Sequence, residues 1–349
     1  MGLFSSNEGY LGIDIGSSST KIVELKKKGQ AIELVNYSFS ENKEIKETEG
    51  NAKSQNQEKY LTTLINKMHS EGNFNAKNSV ATLPTSSVFS SVVNISDVSK
   101  EELDSAVNWE AKKVIPVSLE EMVLDWKIIE EDKESNNIKV FLTASPKKMI
   151  KKYVNTFKNS RLNLSSLETE IFSLVRSLAI DKDSQVMVVE IGTLNTDISI
   201  VKNKIPVLNR SIDVGGHSIT KTISNSLNIS LKRAEQFKRD LGVSSVESNS
   251  EEVIPKTIMK TVNPIVDEVK YMLNLFENKK NDKVETIVLT GGSAFLPNLT
   301  DYLSQALDRN VVVGDPWYNI SYPEEMEQVL TEVGPKLAVA IGAAMRELE

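Results

Sequence analysis

The sequence has an acidic residue at the end of a strand-like run in two places, each followed by small residues that carry hydroxyl groups. In the first place, the apolar alternation of residues 10–15 includes Asp14, and a glycine follows it. The turn is made of Gly16, Ser17, Ser18, Ser19, Thr20 and Lys21. Glycine lets the backbone approach a ligand, N–H and hydroxyl groups donate to phosphate oxygens, and a carboxylate can hold hydrated magnesium. The segment therefore predicts a phosphate-binding hairpin with Asp14 bound to the metal through water; a plain tight turn is the alternative.

The second place repeats the spacing of the first. Glu190, Gly192 and Thr196 align with the acid, the glycine and the threonine of the first hairpin, and Thr193 and Asn195 lie in the turn. This repetition predicts a second phosphate-binding hairpin, with Glu190 as a metal ligand. No catalytic residue is assigned from the spacing, but a carboxylate could orient an attacking water. The candidates for that role are Glu170, Glu190 and Asp197.

A third motif is an apolar run at 286–289 that ends in the turn Gly291, Gly292 and Ser293. A turn without side chains admits a flat base or a phosphate, although an ordinary turn between a strand and a helix is the alternative. The first hairpin is neither a Walker A loop, which requires Gly-Lys-Ser/Thr leading into a helix, nor a dinucleotide-binding fingerprint, which requires three spaced glycines.

Apolar periodicity predicts the elements that position these motifs. Strands are expected at 10–15, 21–25, 186–191, 197–201 and 286–289, helices at 99–114, 218–241, 255–277 and 297–307, and surface loops at 41–59, 130–137 and 244–252. The mixture indicates an α/β architecture, and 349 residues are enough for two lobes with separate cores.

Composition narrows the class of protein. The chain has no cysteine, which excludes disulfides and thiolate metal sites, and its two histidines do not form a zinc-binding pattern. The net charge of −7, with lysines mixed among acids, argues against nucleic acid as a partner. No uncharged run is long enough to span a bilayer, so the expected location is the cytoplasm, with membrane contact only through a partner.

The three motifs in this order resemble those of the actin, heat-shock chaperone and sugar-kinase superfamily. Residues 170–178 and 335–344 are similar to its two connecting helices. The resemblance implies an actin-like fold of two lobes, each a ribonuclease H-like duplicated domain, with ATP or ADP and Mg²⁺ in the cleft between them. Residues 232–242 are similar to a helix that contacts ribose and adenine in chaperone ATPases, which implies base-side roles for Glu235 and Lys238. A solvated ion pair between these two residues is the alternative.

Three further stretches, 81–93, 109–116 and 120–126, resemble a small extra subdomain of the PilM family of type IV pilus assembly proteins, and Gly215 and Gly216 with the following helix resemble the same family. The division protein FtsA is a near relative of that family. The implied division is a first lobe at 1–180 with a small α/β insert at about 82–160, a second lobe at 181–334, and a C-terminal helix at 335–349 that returns to the first lobe.

The PilM resemblance implies a cytoplasmic scaffold at the inner face of the membrane. Its partner would be a PilN-like bitopic membrane protein, gripped through its cytoplasmic N-terminal tail, and other platform components and motor ATPases would be reached indirectly. Self-association stays open. Because Glu190 stands where many members of the superfamily have aspartate, hydrolysis of ATP is expected to be slow or absent.

Two alternatives remain on this evidence. An FtsA-like filament protein of cell division would carry an amphipathic helix after a linker, whereas this sequence ends at Glu349, directly after the second connecting helix; that difference favours the pilus interpretation. A small-molecule kinase of the same superfamily would need an acceptor pocket and a catalytic base.

Overall fold

The structure of the chain is a computed structural model that describes residues 8–41, 53–96, 98–99, 101–132, 136–243, 253–278 and 282–349. Its strands are β1 (Gly9–Ile15), β2 (Ser19–Lys28), β3 (Ala31–Glu41), β4 (Asn78–Leu83), β5 (Phe89–Ser96), β6 (Met122–Asp132), β7 (Asn137–Pro146), β8 (Asn163–Thr169), β9 (Gln185–Ile191), β10 (Thr196–Lys202), β11 (Ile205–Ile212), β12 (Thr286–Thr290), β13 (Asn310–Val313) and β14 (Ile320–Ser321). Its helices are α1 (Lys53–Glu71), α2 (Leu103–Val114), α3 (Lys147–Asn159), α4 (Glu170–Ser177), α5 (Gly216–Leu227), α6 (Leu231–Leu241), α7 (Val253–Glu277), α8 (Leu299–Leu307) and α9 (Glu327–Met345).

The described strands form three sheets. The first has the order β14-β3-β2-β1-β4-β8 and the second the order β11-β10-β9-β12-β13. Each sheet contains an antiparallel hairpin, β1–β2 or β9–β10, whose first strand pairs in parallel with a later strand, β4 or β12. The third sheet, β5-β7-β6, belongs to the insert between β4 and α3. The mixed α/β class predicted from the motifs is confirmed.

Helices cover both large sheets and build their cores. The first sheet packs α1 and α3 on one face, through Leu61, Ile65 and Phe157, and α9 on the other, through Leu337 and Ile341. The second sheet packs α5 to α8. Helix α4 packs with α9 and with β9 and β10, so α4 and α9 connect the two large sheets. In the insert, α2 packs on one face of its sheet.

Glycine permits the closest helix contact. A Cβ on Gly342 would lie only 1.9 Å from the carbonyl oxygen of Ser173, and one on Gly12 only 1.8 Å from the carbonyl oxygen of Ala340. Real Cβ atoms do not approach this closely, so α9 can reach both α4 and β1 only because these positions have no side chain.

Most predicted elements are confirmed, but several bounds differ, and the predicted helix 99–114 begins at Leu103. The predicted helix 218–241 is two helices, because Asn228 takes a left-handed conformation and Ser230 caps α6. The loop 41–59 is wrong over 53–59, where α1 has begun, and its residues 42–52 lie outside the described part. The loop 130–137 is mostly strand apart from the undescribed residues 133–135, and the loop 244–252 lies wholly outside the described residues. The C-terminal helix begins at Glu327 rather than at 335, with Pro335 inside it.

None of the described helices is both long and apolar enough to cross a membrane.

Candidate nucleotide-binding cleft

A cleft of about 1380 Å³ opens between the β1–β2 hairpin (the first hairpin) and the β9–β10 hairpin (the second hairpin). The two turns face each other across it, and the Ser18 hydroxyl donates a hydrogen bond to Thr193 Oγ1 at 2.6 Å. Of the residues predicted as site residues, the structure brings together along this cleft Asp14, Gly16, Ser17, Ser18, Ser19, Lys21, Glu170, Glu190, Gly192, Thr193, Asn195, Asp197, Gly291 and Gly292.

In the first hairpin, the register pairs Asp14 with Lys21. Lys21 Nζ lies 2.7 Å from Asp14 Oδ2, and both side chains are largely buried. Burial alone would lower the pKa of Lys21, but the carboxylates of Asp14, Glu190 and Glu170 outweigh it, so the pKa is raised and the lysine stays charged. Thr20 is fully buried behind the turn rather than exposed to the cleft.

The second hairpin is anchored on the N-terminus of α5. Gly216 N–H donates to Gly192 O at 2.9 Å, and His217 N–H donates to Thr193 O at 2.8 Å. A Cβ on Gly215 would lie 2.7 Å from Thr193 O, so this approach requires glycine. The buried Thr196 hydroxyl donates to Val214 O at 2.6 Å. Thr196 therefore fixes the hairpin from behind and does not face the cleft.

Glu170, Glu190 and Asp197 form a carboxylate cluster at the base of the cleft. Each offers one oxygen, and these oxygens lie within 4.8 Å of one another. Burial and the neighbouring negative charges raise the pKa of Glu190 to about 8 and that of Glu170 well above its ordinary value. Burial raises the pKa of Asp197 to about 6, although hydrogen bonds from Ser211 and Asn195 oppose the shift.

The same region holds carboxylate oxygens that lack a donor. Within the described part of the chain, Asp14 Oδ1, Glu190 Oε2 and Asp197 Oδ1 are buried and accept no hydrogen bond. An unpaired buried carboxylate oxygen is costly, and a hard divalent cation is the ligand that suits several such oxygens at once. The residues present therefore fit a magnesium ion.

Lys238, one of the two residues expected to contact the ribose or the adenine base, is buried and paired rather than directed into the cleft. Its ammonium lies 2.7 Å from Glu235 Oε2 and donates to Gly216 O at 3.2 Å and to Thr220 Oγ1 at 3.1 Å. Glu235 also accepts hydrogen bonds from Arg239 and Thr220. Neither member of the pair lines the cleft, and both brace the junction of α5 and α6, close to Gly216.

The double-glycine turn adjoins this junction. Gly291 has φ of +87°, its N–H donates to Pro335 O at 3.0 Å, and a Cβ there would lie 2.6 Å from Ile191 O. No atom of the described residues lies within 4 Å of a Cβ on Gly292, so this position faces open space among them. Ser293 N–H donates to Ile191 O at 3.2 Å, and its hydroxyl lies beside Gly216.

Sequence reasoning missed part of the cleft lining. Lys336 lines the cleft with its Nζ 3.6 Å from the ring centroid of Phe39, and burial together with Lys21 and Arg239 lowers its pKa. The cleft also extends into a groove between α1 and α3, which we call the α1–α3 groove. The missed residues of that extension are Gln57, Glu58, Lys59, Leu61, Thr62, Thr63, Pro84, Ser86, Ser87, Pro146, Lys148, Met149, Lys151, Lys152, Tyr153, Asn155 and Asn159. The sequence features that could have indicated these residues were the proline beside Lys336 and the apolar run at 81–93.

Two hairpins facing each other across a cleft, a double-glycine turn beside them and two helices linking the large sheets define a protein of the actin-like ATPase fold. Solved structures with this fold include a chain of the PilM–PilN type IV pilus biogenesis complex, with a TM-score of 0.83 and 23% identity over 98% of this chain and 99% of that one. MreB5 of Spiroplasma citri bound to AMPPNP gives a TM-score of 0.57 and 13% identity over 99% and 97% of the two chains. The chain belongs to the family of the type IV pilus assembly protein PilM, whose sequence profile matches residues 12–348.

Curated relatives match over shorter stretches. The cell division protein FtsA of Bacillus subtilis is 29% identical over 162 residues, which cover 41% of this chain and 37% of that protein. The ethanolamine utilization protein EutJ of Salmonella typhimurium is 27% identical over 146 residues, which cover 42% of this chain and 46% of that protein. The chain thus spans less than half the length of these relatives, so their activities and partners are not carried over to it.

Proposed function

We propose that the chain is a nucleotide-binding scaffold of the type IV pilus inner-membrane assembly platform. It binds ATP with Mg²⁺ between the two hairpins, and it binds the cytoplasmic N-terminal tail of a PilN-like membrane protein in the α1–α3 groove. The observation that carries the proposal is the single cleft of about 1380 Å³ that joins both places. Small-molecule pockets usually enclose about 300–1,000 Å³, so the cleft has room for a second occupant beside a nucleotide.

The two hairpins supply the groups that a triphosphate needs. The N–H and hydroxyl groups of Ser17, Ser18, Ser19 and Thr193 donate to phosphate oxygens, and Lys21 adds a positive charge. Asp14, through water, and Glu190 hold the magnesium ion, with Glu170 and Asp197 close by. When bound, magnesium offsets the charge of the phosphates and of this cluster. Thr20, Thr196 and Asn195 support the turns.

The adenine base of the nucleotide is proposed to lie against two turns that contain glycine. Gly215 and Gly216 form one turn, and Gly291, Gly292 and Ser293 form the other. Of these positions, Gly292 is the one that faces open space, and its lack of a side chain leaves room for a flat base. The paired Glu235 and Lys238 lie behind Gly216, and a role for them in contacting ribose would require the pair to open.

The α1–α3 groove has the character of a peptide site with a basic wall. Helix α3 carries five lysines and no acidic residue, and Lys148, Lys151 and Lys152 line the groove. Met149 is partly exposed and supplies apolar lining, with the buried Leu61 and Tyr153 beneath it. These features fit an extended tail that places apolar side chains on the floor and an acidic group against the lysines.

Nucleotide is proposed to set the closure of the two hairpins and thereby the affinity for the tail. The Ser18–Thr193 hydrogen bond already joins the two turns directly. A ligand that contacts both turns favours one relative position of the large sheets, and the groove opens from the same cleft. The chain would then lie at the cytoplasmic face of the membrane through its partner, with other platform components and motor ATPases linked indirectly.

The FtsA likeness keeps a filament-forming role as the second candidate. Analytical ultracentrifugation with ATP and Mg²⁺ separates the two, because a filament protein sediments as large polymers and a scaffold does not.

The proposal is tested by titrating a synthetic PilN-type tail into the full chain with charge-reversal variants of α3. Lys151→Glu together with Lys152→Glu places negative charge in the groove, and we expect about tenfold weaker tail binding, or ~1.4 kcal/mol. Lys147→Glu together with Lys158→Glu is the matched control, because both lysines are exposed on the same helix and neither lines the cleft. Equal loss in both variants would mean that overall charge and not the groove governs binding.

A further inference from the structure

The first turn of α4 contacts the insert at two points. The backbone N–H of Thr85 donates to Glu170 Oε2 at 2.9 Å, and the Thr85 hydroxyl donates to the same oxygen at 3.3 Å. Two residues further along α4, the ring of Phe172 packs edge-on against Phe141 of β7, with ring centroids 5.3 Å apart. Thr85 begins the short turn between β4 and β5, where the chain passes from the first sheet into the insert.

Glu170 contacts this turn and also belongs to the carboxylate cluster. Its side chain is buried, and one of its oxygens lies within 4.8 Å of oxygens of Glu190 and Asp197. A divalent cation held by Asp14 and Glu190 attracts the negative charge of the Glu170 carboxylate beside it. Because both donors of Thr85 hold the same oxygen of Glu170, the turn follows a shift of that carboxylate.

The insert also contacts the second sheet. Asn209 of β11 donates through Nδ2 to Ser90 Oγ of β5 at 2.8 Å. Ser86 and Ser87, directly after Thr85, line the cleft beside the α1–α3 groove. A shift that begins at Thr85 therefore reaches both the start of β5 and the groove.

We propose that Thr85 is a positioning residue that couples the cation held in the cleft to the position of the insert and so to the α1–α3 groove. This inference rests on the proposed function for the identity of the cation site and of the groove. The coupling itself is a property of the chain that is measurable without any tail.

A series of substitutions removes the donors of Thr85 one at a time. Thr85→Ser keeps the hydroxyl and the N–H, Thr85→Val keeps only the N–H, and Thr85→Pro removes both. Proline suits the site, because it is the first position of a helical turn and Pro84, at φ −55° and ψ 133°, already has the conformation that a residue before proline prefers.

The test is hydrogen–deuterium exchange of the full chain with and without saturating magnesium and ATP, read in peptides that cover β5. In the wild type and in Thr85→Ser, we expect the bound state to exchange several-fold more slowly in β5 than the free state. We expect a smaller difference in Thr85→Val and none in Thr85→Pro. Exchange in β9, which does not depend on Thr85, serves as the internal control for nucleotide occupancy.

The inference is overturned if β5 of the wild type does not respond to magnesium and ATP, or if the response of a folded Thr85→Pro equals that of the wild type. Should Thr85→Pro fail to fold, Thr85→Val decides, with an undiminished response counting against the coupling. Titration of the tail separates the two proposals. If β5 responds to magnesium and ATP but the tail does not bind, the proposed partner is wrong and the coupling stands. If the tail binds but Thr85→Pro responds as the wild type does, the proposed function stands and the coupling is wrong.

Discussion

Replacing Glu190 with glutamine should flatten the pH dependence of stability in the protein without metal. The folded pKa of Glu190 is about 8 against an ordinary value of 4.5, because burial and the charges of Asp197 and Asp14 disfavour its ionised form. Between these two values, the folded state keeps a proton that the unfolded state has released. Ionisable Glu190 therefore destabilises the folded state least at a pH below its unfolded pKa, and the free energy of unfolding falls as the pH rises towards 8.

The size of the effect follows from these two values. Between about pH 5.5 and 7.5, an acid with these folded and unfolded pKa values costs the folded state on the order of 2 to 3 kcal/mol of additional free energy. Glutamine does not titrate in this range, so the variant lacks that part of the dependence. Any constant cost of burying the amide cancels when the two pH values are compared.

The assay is urea unfolding of both proteins in a chelator at the two pH values, with Glu120→Gln as a matched control that removes an exposed carboxyl of the insert. We expect the free energy of unfolding to fall more steeply with pH in the wild type and the control than in Glu190→Gln, by about 2 to 3 kcal/mol. Equal pH dependence in Glu190→Gln and the wild type would refute the raised pKa of Glu190 in the folded state.

Three further predictions follow from the same geometry. Gly342→Ala should destabilise the chain by at least about 2 kcal/mol in thermal or urea unfolding, because the clash with α4 exceeds the gain in helix propensity of about 1 kcal/mol. Gly292→Ala is the control and should not destabilise the chain, because it adds a methyl group to open space. Equal losses of stability in the two variants would contradict the packing argument. Calorimetric affinity for magnesium should rise between about pH 6 and 8 as Asp197 and Glu190 lose their protons, and an affinity independent of pH would contradict a cation site at this cluster. Release of phosphate from ATP should be slow or absent over many turnovers; sustained release that is abolished by Asp14→Ala would show an active ATPase.

Local patterns in the sequence were sufficient to predict the two hairpins. The acid-glycine-threonine spacing recurs because each hairpin needs a carboxylate at a strand end, a close backbone turn and a threonine. The threonine had a different role from the predicted one in the second hairpin, where the Thr196 hydroxyl bonds to a backbone carbonyl behind the turn. A sequence motif shows which residue types are needed, but not which side of the turn each of them faces.

Contacts between distant segments could not be predicted in this way. Thr85 and Glu170 lie 85 positions apart, and Lys336 joins the cleft because α9 passes under both large sheets. Helix α1 was not predicted, and its residues 53–59 were assigned to a loop because they contain no apolar residue that could show helical periodicity. By contrast, the break between α5 and α6 had a readable signal in Asn228 and Ser230, which favour a left-handed residue and a helix cap.

The central claim is that one cleft holds a nucleotide and controls the binding of a PilN-type tail. It is tested most directly by calorimetric titration of the synthetic tail into the full chain, with and without magnesium and ATP, alongside Asp14→Ala. We predict tail binding whose dissociation constant changes at least about fivefold with nucleotide in the wild type and not in Asp14→Ala. Nucleotide binding without any tail binding would contradict the scaffold function, and tail binding that is identical with and without nucleotide would contradict the control by the cleft.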